Sequence, residues 1–285
     1  MPSLTLAEKA SLIGPLDYKI LKTLYMEAET HEWVRSSELS SITGLKDKEL
    51  QVSLLKLYNL RLVSKDRVLG ELAYRISFSG LDVLAIKQLY VNNVLKKLGV
   101  IIGEGKESSV YLGYDFNEEP IVIKFHRVGR RSYRHIKKKR PVSKNDWIGI
   151  TIENAKKEYN ALTCLKNNFA NVPKPLGYAY NAVAMEYIDG IELYKTKIDN
   201  PNQILDEILG TIRIAYTNCN LIHGDLSEYN ILVKDSQPFI IDWPQWSNDE
   251  IFLLRDLRNI LRYFEKNYGI ESDIDKVLEY VKGKL

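Results

Sequence analysis

Between Leu221 and Asp242 the chain sets three oxygen-bearing side chains in a fixed order within apolar surroundings: Asp225, then Asn230, then Asp242 at the end of the next apolar run. The stretch Leu221-Ile-His-Gly-Asp-Leu-Ser-Glu-Tyr-Asn-Ile-Leu-Val233 begins and ends on residues suited to burial, which predicts a polar loop held between packed elements. Ile231–Val233 and Phe239–Ile241 are short β-prone runs joined by Lys234-Asp-Ser-Gln-Pro238, so they predict a hairpin that brings Asp242 beside Asn230. An ordinary surface loop accounts for any one of these residues but not for their joint order. The order suits phosphoryl transfer, where a carboxylate serves the acceptor hydroxyl and hard oxygen ligands hold Mg²⁺ against the phosphates. On this reading Asp225 is the catalytic carboxylate, and Asn230 and Asp242 are metal ligands.

A chain of 285 residues with 45% hydrophobic content can bury its own core and has room for two domains. Cys164 and Cys219 are far apart and lack Cys-x-x-Cys spacing, so they read as buried thiols in a reducing compartment, not as a disulfide or a zinc site. No basic stretch followed by an apolar one opens the chain, and no apolar run reaches the length of a membrane span. The expectation is a soluble, cytoplasmic protein. The net charge of +3 is unevenly spread, with nine cations and no acid between Arg127 and Lys144. Like charges at that density predict a mobile loop that binds RNA or a nucleotide phosphate, weighed against a plain solvated linker.

Apolar residues from Leu16 to Ala28 recur at helical spacing, Ser36 and Ser37 offer a cap for a helix ending near Gly44, and Asp47 caps another through Tyr58. Leu60–Ser64 and Leu72–Phe78 alternate as strands, joined by Lys65–Glu71, and Gly80 precedes a helical run from Leu81 to Lys97. This is the order of a winged helix-turn-helix, assigned to residues 1–92 with its linker helix. The charges along it nearly balance, which favours docking to structured RNA or to protein over reading of a DNA operator.

Residues 93–285 read as a second domain with an N-lobe to about 184, a hinge at 185–190 and a C-lobe from 191. Val100–Leu112 predicts a hairpin whose tip carries Gly103, Gly105, Lys106, Glu107 and Ser108, with Ser108 where a third glycine of Gly-x-Gly-x-x-Gly would stand. Lys124 projects from the strand Ile121-Val-Ile-Lys-Phe125, and a buried ammonium needs a carboxylate, for which Glu158 on the helix Thr151–Asn167 is the candidate. Met185-Glu-Tyr-Ile188, with Glu186 and Tyr187 at its centre, follows a strand pair turning at Asn181 and falls where a hinge would meet adenine.

Together Gly103–Ser108, Lys124–Arg130, His223–Asn230 and Ile241–Gln245 resemble the patterns of the RIO-type atypical serine/threonine protein kinases, in the type-two branch with an N-terminal winged helix. The resemblance implies an α+β fold in which a winged helix-turn-helix is joined to a reduced bilobal kinase-like domain. It makes Lys124 and Ser108 phosphate contacts, Glu158 the partner of Lys124, Asp225 catalytic, and Asn230 and Asp242 ligands for Mg²⁺, with Mn²⁺ as a substitute. It also implies ATP as cofactor and a role in maturation of the small ribosomal subunit. Gly224 stands where most kinases carry Arg, and only 43 residues follow Asp242, too few for the usual peptide-binding lobe. Slow ATP hydrolysis or self-phosphorylation at Ser132 or Ser143 is therefore the expected activity. Two other readings fit parts of the pattern: a small-molecule phosphotransferase of the aminoglycoside or choline kinase type, and a winged-helix regulator that senses nucleotide.

Overall fold

The computed structural model describes residues 4–127 and 146–284; Ser132, Ser143 and the basic segment beyond Arg127 lie outside the described residues. The chain divides into two compact units, residues 1–155 with 177–184, and residues 156–176 with 185–285.

In the first unit α1 (Leu6–Ser11), α2 (Pro15–Glu27), α3 (Ser36–Thr43) and α4 (Asp47–Asn59) precede a hairpin of β2 (Val63–Val68) and β3 (Glu71–Ile76). The short β1 (Val34–Arg35) completes a sheet of order β1-β3-β2, giving the winged helix-turn-helix. Leu21 and Leu24 of α2, Leu39 of α3 and Leu54 and Leu57 of α4 are buried together in its core, each contributing about 1.5–3 kcal/mol. Ser36, Ser37 and Asp47 are first-turn residues, not caps. The helix starts are set by Glu38 and Glu49, whose carboxylates reach back to the N–H groups of Arg35 (2.9 Å) and Lys46 (3.2 Å). The wing's strands also sit nearer the turn than their alternation suggested, at Val63–Val68 and Glu71–Ile76. Leu69 and Gly70 both take positive φ (53° and 84°), so a two-residue turn lets pairing run from Val63↔Ile76 to Val68↔Glu71.

Helix α5 (Phe78–Val91) follows, with Ser77 Oγ capping the N–H of Gly80 at 3.1 Å. It stops short of Lys97 because the chain turns at Asn93 (φ 57°) and Lys97 opens β4. A five-stranded sheet is then built from β4 (Lys97–Glu104), β5 (Ser108–Tyr114), β6 (Pro120–His126), β7 (Pro175–Ala179) and β8 (Ala182–Glu186), in the order β4-β5-β6-β8-β7. Asp82 of α5, fully buried, accepts from Arg127 Nη2 (2.7 Å) and from Asn181 Nδ2 (2.7 Å), while the same Asn181 nitrogen donates to the carbonyl of His126 (3.0 Å). The first cation of the basic segment is therefore an anchor inside the unit and is not free for a polyanion.

Helix α6 (Asp146–Asn167) starts five residues before the expected Thr151 and runs into the second unit. That unit continues through β9 (Ile191–Glu192), α7 (Pro201–Cys219), the hairpin β10 (Ile231–Lys234) and β11 (Gln237–Ile240), α8 (Glu250–Tyr268) and α9 (Ile274–Val281). Its sheet has the order β11-β10-β9, and Asp235 and Ser236 (φ 49° and 61°) make the tight turn of the hairpin. Cys164 and Cys219 form a disulfide, which overturns the reading of two free buried thiols. The ends of α6 and α7 bring their Cα atoms to 6.0 Å, and a pairing across 55 residues leaves no local mark in the sequence. Asn168 Nδ2 donates to the Cys164 carbonyl at 2.9 Å and lies 3.8 and 3.7 Å from the two sulfurs.

Candidate active site

The loop after α7 is exposed at one residue and sealed around it. His223, Gly224 and Leu226 are buried, whereas the Asp225 side chain is open to solvent. Its backbone is held from α8. Asp256, 1% exposed, accepts from the N–H groups of Gly224 (2.7 Å) and Leu226 (3.0 Å). Arg255 donates to the Gly224 carbonyl, and Asn259 Nδ2 donates to that of Leu226 at 3.0 Å. Burial pushes the Asp256 carboxyl up, and the two N–H groups oppose the shift. Glycine is required at 224, because φ is +84° and a Cβ would stand 2.8 Å from the carbonyl oxygen of Gln245.

His223 joins this loop to the strand end that carries Asp242. Burial pushes the imidazole pKa down, so the ring is neutral. Its Nε2 lies 2.9 Å from the Ile241 carbonyl, and its Nδ1 accepts from the Asp225 N–H at 3.4 Å, which assigns the proton to Nε2. Asn230 Nδ2 donates to the Asp225 carbonyl at 2.8 Å, leaving the amide oxygen for another ligand. The Asn230 carbonyl accepts from Ile241 N–H at 2.9 Å. Asp242 itself takes φ +71°, an unfavourable region for a residue with a Cβ. It is fixed on both sides: His223 holds Ile241, and Glu158 Oε1, 1% exposed, accepts from the Trp243 N–H at 3.2 Å. Trp243 Nε1 adds a bond to the Ile240 carbonyl at 3.2 Å. Asp225, Asn230, Asp242 and Glu158 all lie in the second unit, and the Trp243 N–H is one partner of the Glu158 carboxylate.

Lys124 and the glycine-bearing tip lie on the sheet of the first unit, and the hinge residues 185–188 open the second stretch of the other unit. Lys124 stands in the middle of β6 opposite Val110 and is 6% exposed. Ser108 opens β5, and its carbonyl accepts from Gly105 N–H at 2.9 Å, closing the tip that holds Lys106 and Glu107. A Cβ added at Gly103 or Gly105 would meet nothing nearer than 3.6 Å, and neither φ is positive. The protein's own packing therefore does not demand glycine at either position, and close approach of a ligand is the remaining physical reason for it. In the hinge stretch Met185 and Ile188 are buried, Glu186 and Tyr187 half-buried, and Glu186 N–H donates to the Lys174 carbonyl at 2.8 Å.

Sequence reasoning missed Arg255, Asp256 and Asn259. A signal was present: Asp256 falls on the same face of α8 as buried Leu253, Leu257 and Ile260, where an acid has no place without donors. No cluster of three His, Cys, Asp or Glu able to hold a metal occurs among the described residues. Two protein oxygens, from Asn230 and Asp242, match the modest ligand share that Mg²⁺ takes from protein when phosphates and water supply the rest.

A pinned, exposed aspartate beside an amide and a second carboxylate, in a chain with a buried strand lysine and a glycine-tipped hairpin, defines a phosphotransferase of the protein-kinase class. Family comparison places it more closely. The RIO domain profile matches residues 109–277, and the Rio2 N-terminal profile matches residues 11–92. The RIO-type serine/threonine-protein kinase Rio2 of Methanocaldococcus jannaschii is 31% identical over 272 residues, 88% of this chain and 98% of that protein. The serine/threonine-protein kinase rio2 of Schizosaccharomyces pombe is 30% identical over 269 residues, 90% of this chain and 78% of its own. A crystal structure of the Chaetomium thermophilum Rio2 kinase–ADP/Mg²⁺–phosphoaspartate complex superposes with a TM-score of 0.82 at 25% identity, covering 97% of this chain and 88% of that one. The chain belongs to the RIO family of atypical serine/threonine-protein kinases, in its Rio2 branch.

Proposed function

We propose that the chain uses ATP and Mg²⁺ for slow phosphoryl transfer to itself or to water, and that this chemistry acts as a switch in maturation of the small ribosomal subunit. The observation that carries the chemistry is the immobilised loop and strand end of Asp225, Asn230 and Asp242, where backbone bonds hold Gly224, Leu226, the Asp225 carbonyl and Trp243, the Asp225 side chain is exposed and the Asn230 amide donates through its nitrogen. Bound magnesium would neutralise the phosphates, held by Asn230 Oδ1 and Asp242. Lys124 and the Ser108 hydroxyl serve the phosphate oxygens, and the hinge at Met185–Ile188 serves adenine. Asp225 orients the attacking oxygen and takes its proton as the bond from the γ-phosphorus to the bridging oxygen breaks and ADP leaves.

The acceptor has two candidates. Ser132 or Ser143 would place a phosphate among the basic residues of 127–144. The phosphoaspartate of the Chaetomium thermophilum complex supports the second, an aspartyl phosphate at Asp242 or Asp225 that water then hydrolyses. The partner reading is that the winged helix and the basic segment hold ribosomal RNA or protein of the small-subunit precursor. A cytoplasmic location belongs to this proposal through the family alone, because the disulfide removes the argument from free thiols. No helix among the described residues is long and apolar enough to cross a membrane.

Incubation with γ-labelled ATP and Mg²⁺, followed by mass mapping and hydroxylamine treatment, separates serine ester from acyl phosphate. Asp242→Asn is expected to abolish label and turnover together; near-wild-type transfer by that variant would sink the metal assignment.

A further inference from the structure

The part of a winged helix that ordinarily enters a duplex groove is poorly suited to phosphate here. At the start of helix α4 exposed Lys46 and Lys48 are offset by Asp47 and Glu49, and its outward face carries Val52 and Leu55, 62% and 59% exposed. Cations gather at the other end. Where α4 runs out into β2, Tyr58, Asn59, Arg61, Val63, Ser64 and Lys65 line an open groove of about 510 Å³ with no acidic side chain in its wall. Lys65 Nζ lies 4.0 Å from the centroid of the exposed Tyr58 ring. Arg61 takes φ +59° and its carbonyl accepts from Ser77 Oγ at 2.9 Å, which pins the backbone while the guanidinium stays in solvent. Among the described residues neither Arg61 nor Lys65 has a carboxylate partner. Lys9 of α1 adds to the crowding: burial, then the charges of Arg61 and Arg127, hold its pKa below the ordinary lysine value. Exposed Arg67 stands two positions on along β2, on the same strand face as Lys65, with exposed Asp66 on the opposite face.

We infer that this groove takes one nucleotide unit of a single-stranded RNA, its phosphate between Arg61 and Lys65, its base on the Tyr58 ring, and the Asn59 carboxamide at the base edge. Each part has a physical reason. An exposed aromatic ring beside cations stacks an unpaired base and neutralises its phosphate, which a paired and stacked duplex base cannot exploit. Lys65 exchanges its contact with the ring for the phosphate as the base enters. The groove is too open to enclose a free nucleotide, so affinity depends on neighbouring units that follow β2 past Arg67. This deepens the partner reading above by naming an RNA strand and the residues that meet it, at the opposite end of α4 from the one that reads DNA in other winged helices.

Titration of the full chain with a fluorescent twelve-nucleotide single-stranded RNA tests it, with duplex DNA of the same length and AMP as the other arms. Arg61→Glu with Lys65→Glu is expected to weaken RNA binding more than about tenfold and to flatten the dependence of log K on log salt by about one to two. Tyr58→Ala removes an exposed ring and is expected to weaken binding roughly fivefold or more without lowering that salt slope. A thiouridine-bearing RNA should crosslink within residues 58–65. Unchanged affinity in both variants, tighter binding of the duplex or of AMP, or crosslinks confined to residues 128–145 would each overturn the proposal. ATP turnover is read separately: its absence would count against the enzymatic reading and leave the RNA result standing.

Discussion

Asp82 and Asp256 are both sealed carboxylates, 0% and 1% exposed, yet they are satisfied in opposite ways. Asp256 accepts two backbone N–H groups from residues only two apart, so it fixes one short loop. Asp82 meets two side chains, Arg127 and Asn181, that lie 45 and 99 residues away. One carboxylate sets the position of the exposed Asp225, and the other ties α5 to the five-stranded sheet. Their completeness differs too. The Asp256 loop adds Arg255 and Asn259 to the carbonyls that remain, whereas Arg127 Nε and Asn181 Oδ1, although buried, have no partner among the described residues. The difference teaches that a short loop can be saturated by a few neighbouring donors and acceptors, whereas a tie between distant elements rests on one carboxylate shared by two side chains.

The largest effect expected from breaking this contrast comes from Asp256→Ala. It strands two buried N–H groups, each costing about 1–3 kcal/mol, and releases the backbone on both sides of Asp225. ATP turnover per folded molecule should fall on the order of a hundredfold, because small misplacement of a catalytic group is costly. Turnover measured beside a denaturant melt checks both halves. A variant destabilised by that much yet fully active would show that Asp225 does not need its clamp.

How far the sequence anticipated these regions follows from the range of the interactions. The loop of Asp225 and Asn230 and the hairpin that ends beside Asp242 were legible because polar residues stand in consecutive order between apolar runs. Lys124 was legible as a charge on a strand built for burial. The winged helix was legible in its periodicity, although its caps were misassigned because Glu38 and Glu49 act three residues into their helices. The disulfide, the Arg127–Asp82 pair and the α8 clamp were not legible, since each joins residues 30 to 55 positions apart with no repeating pattern between them. A buried acid on an apolar helix face was the one clue, and both Asp82 and Asp256 carry it.

The next effect in size belongs to Asp82→Ala. Removing one member of a buried pair leaves the other charge without compensation, which costs about 3–5 kcal/mol. The Arg127 side chain retains 32% exposure, so the lower end, about 3 kcal/mol, is expected. The loss should fall on the winged domain and the adjoining sheet, seen as faster amide exchange in α5 and β6. Exchange confined to residues beside Asp82, with the sheet unchanged, would mean that the tie carries no load between them.

The smallest effect is the one that tells the two carboxylates from ordinary surface acids. Burial pushes the Asp82 carboxyl above its ordinary value of 3.8, outweighing the Arg127 and Asn181 contacts that pull it down. A carboxyl whose folded pKa is raised binds its proton more tightly in the folded protein than in the unfolded one. Its contribution to stability is therefore full below the unfolded value and is lost as pH rises through the folded value. Asp82→Asn removes this titration and keeps the size and the acceptor oxygen toward Asn181. The stability difference, wild type minus variant, should decline as pH climbs from 3.8, with a slope no steeper than about 1.4 kcal/mol per pH unit for a single proton. Asp256→Asn should give a decline of the same sign, because burial raises that carboxyl too. Parallel melts of the three proteins across the acid range measure both slopes. A difference that grows with pH for Asp82 alone would mean that Arg127 dominates its environment, and the two buried carboxylates would then differ in charge state as well as in reach.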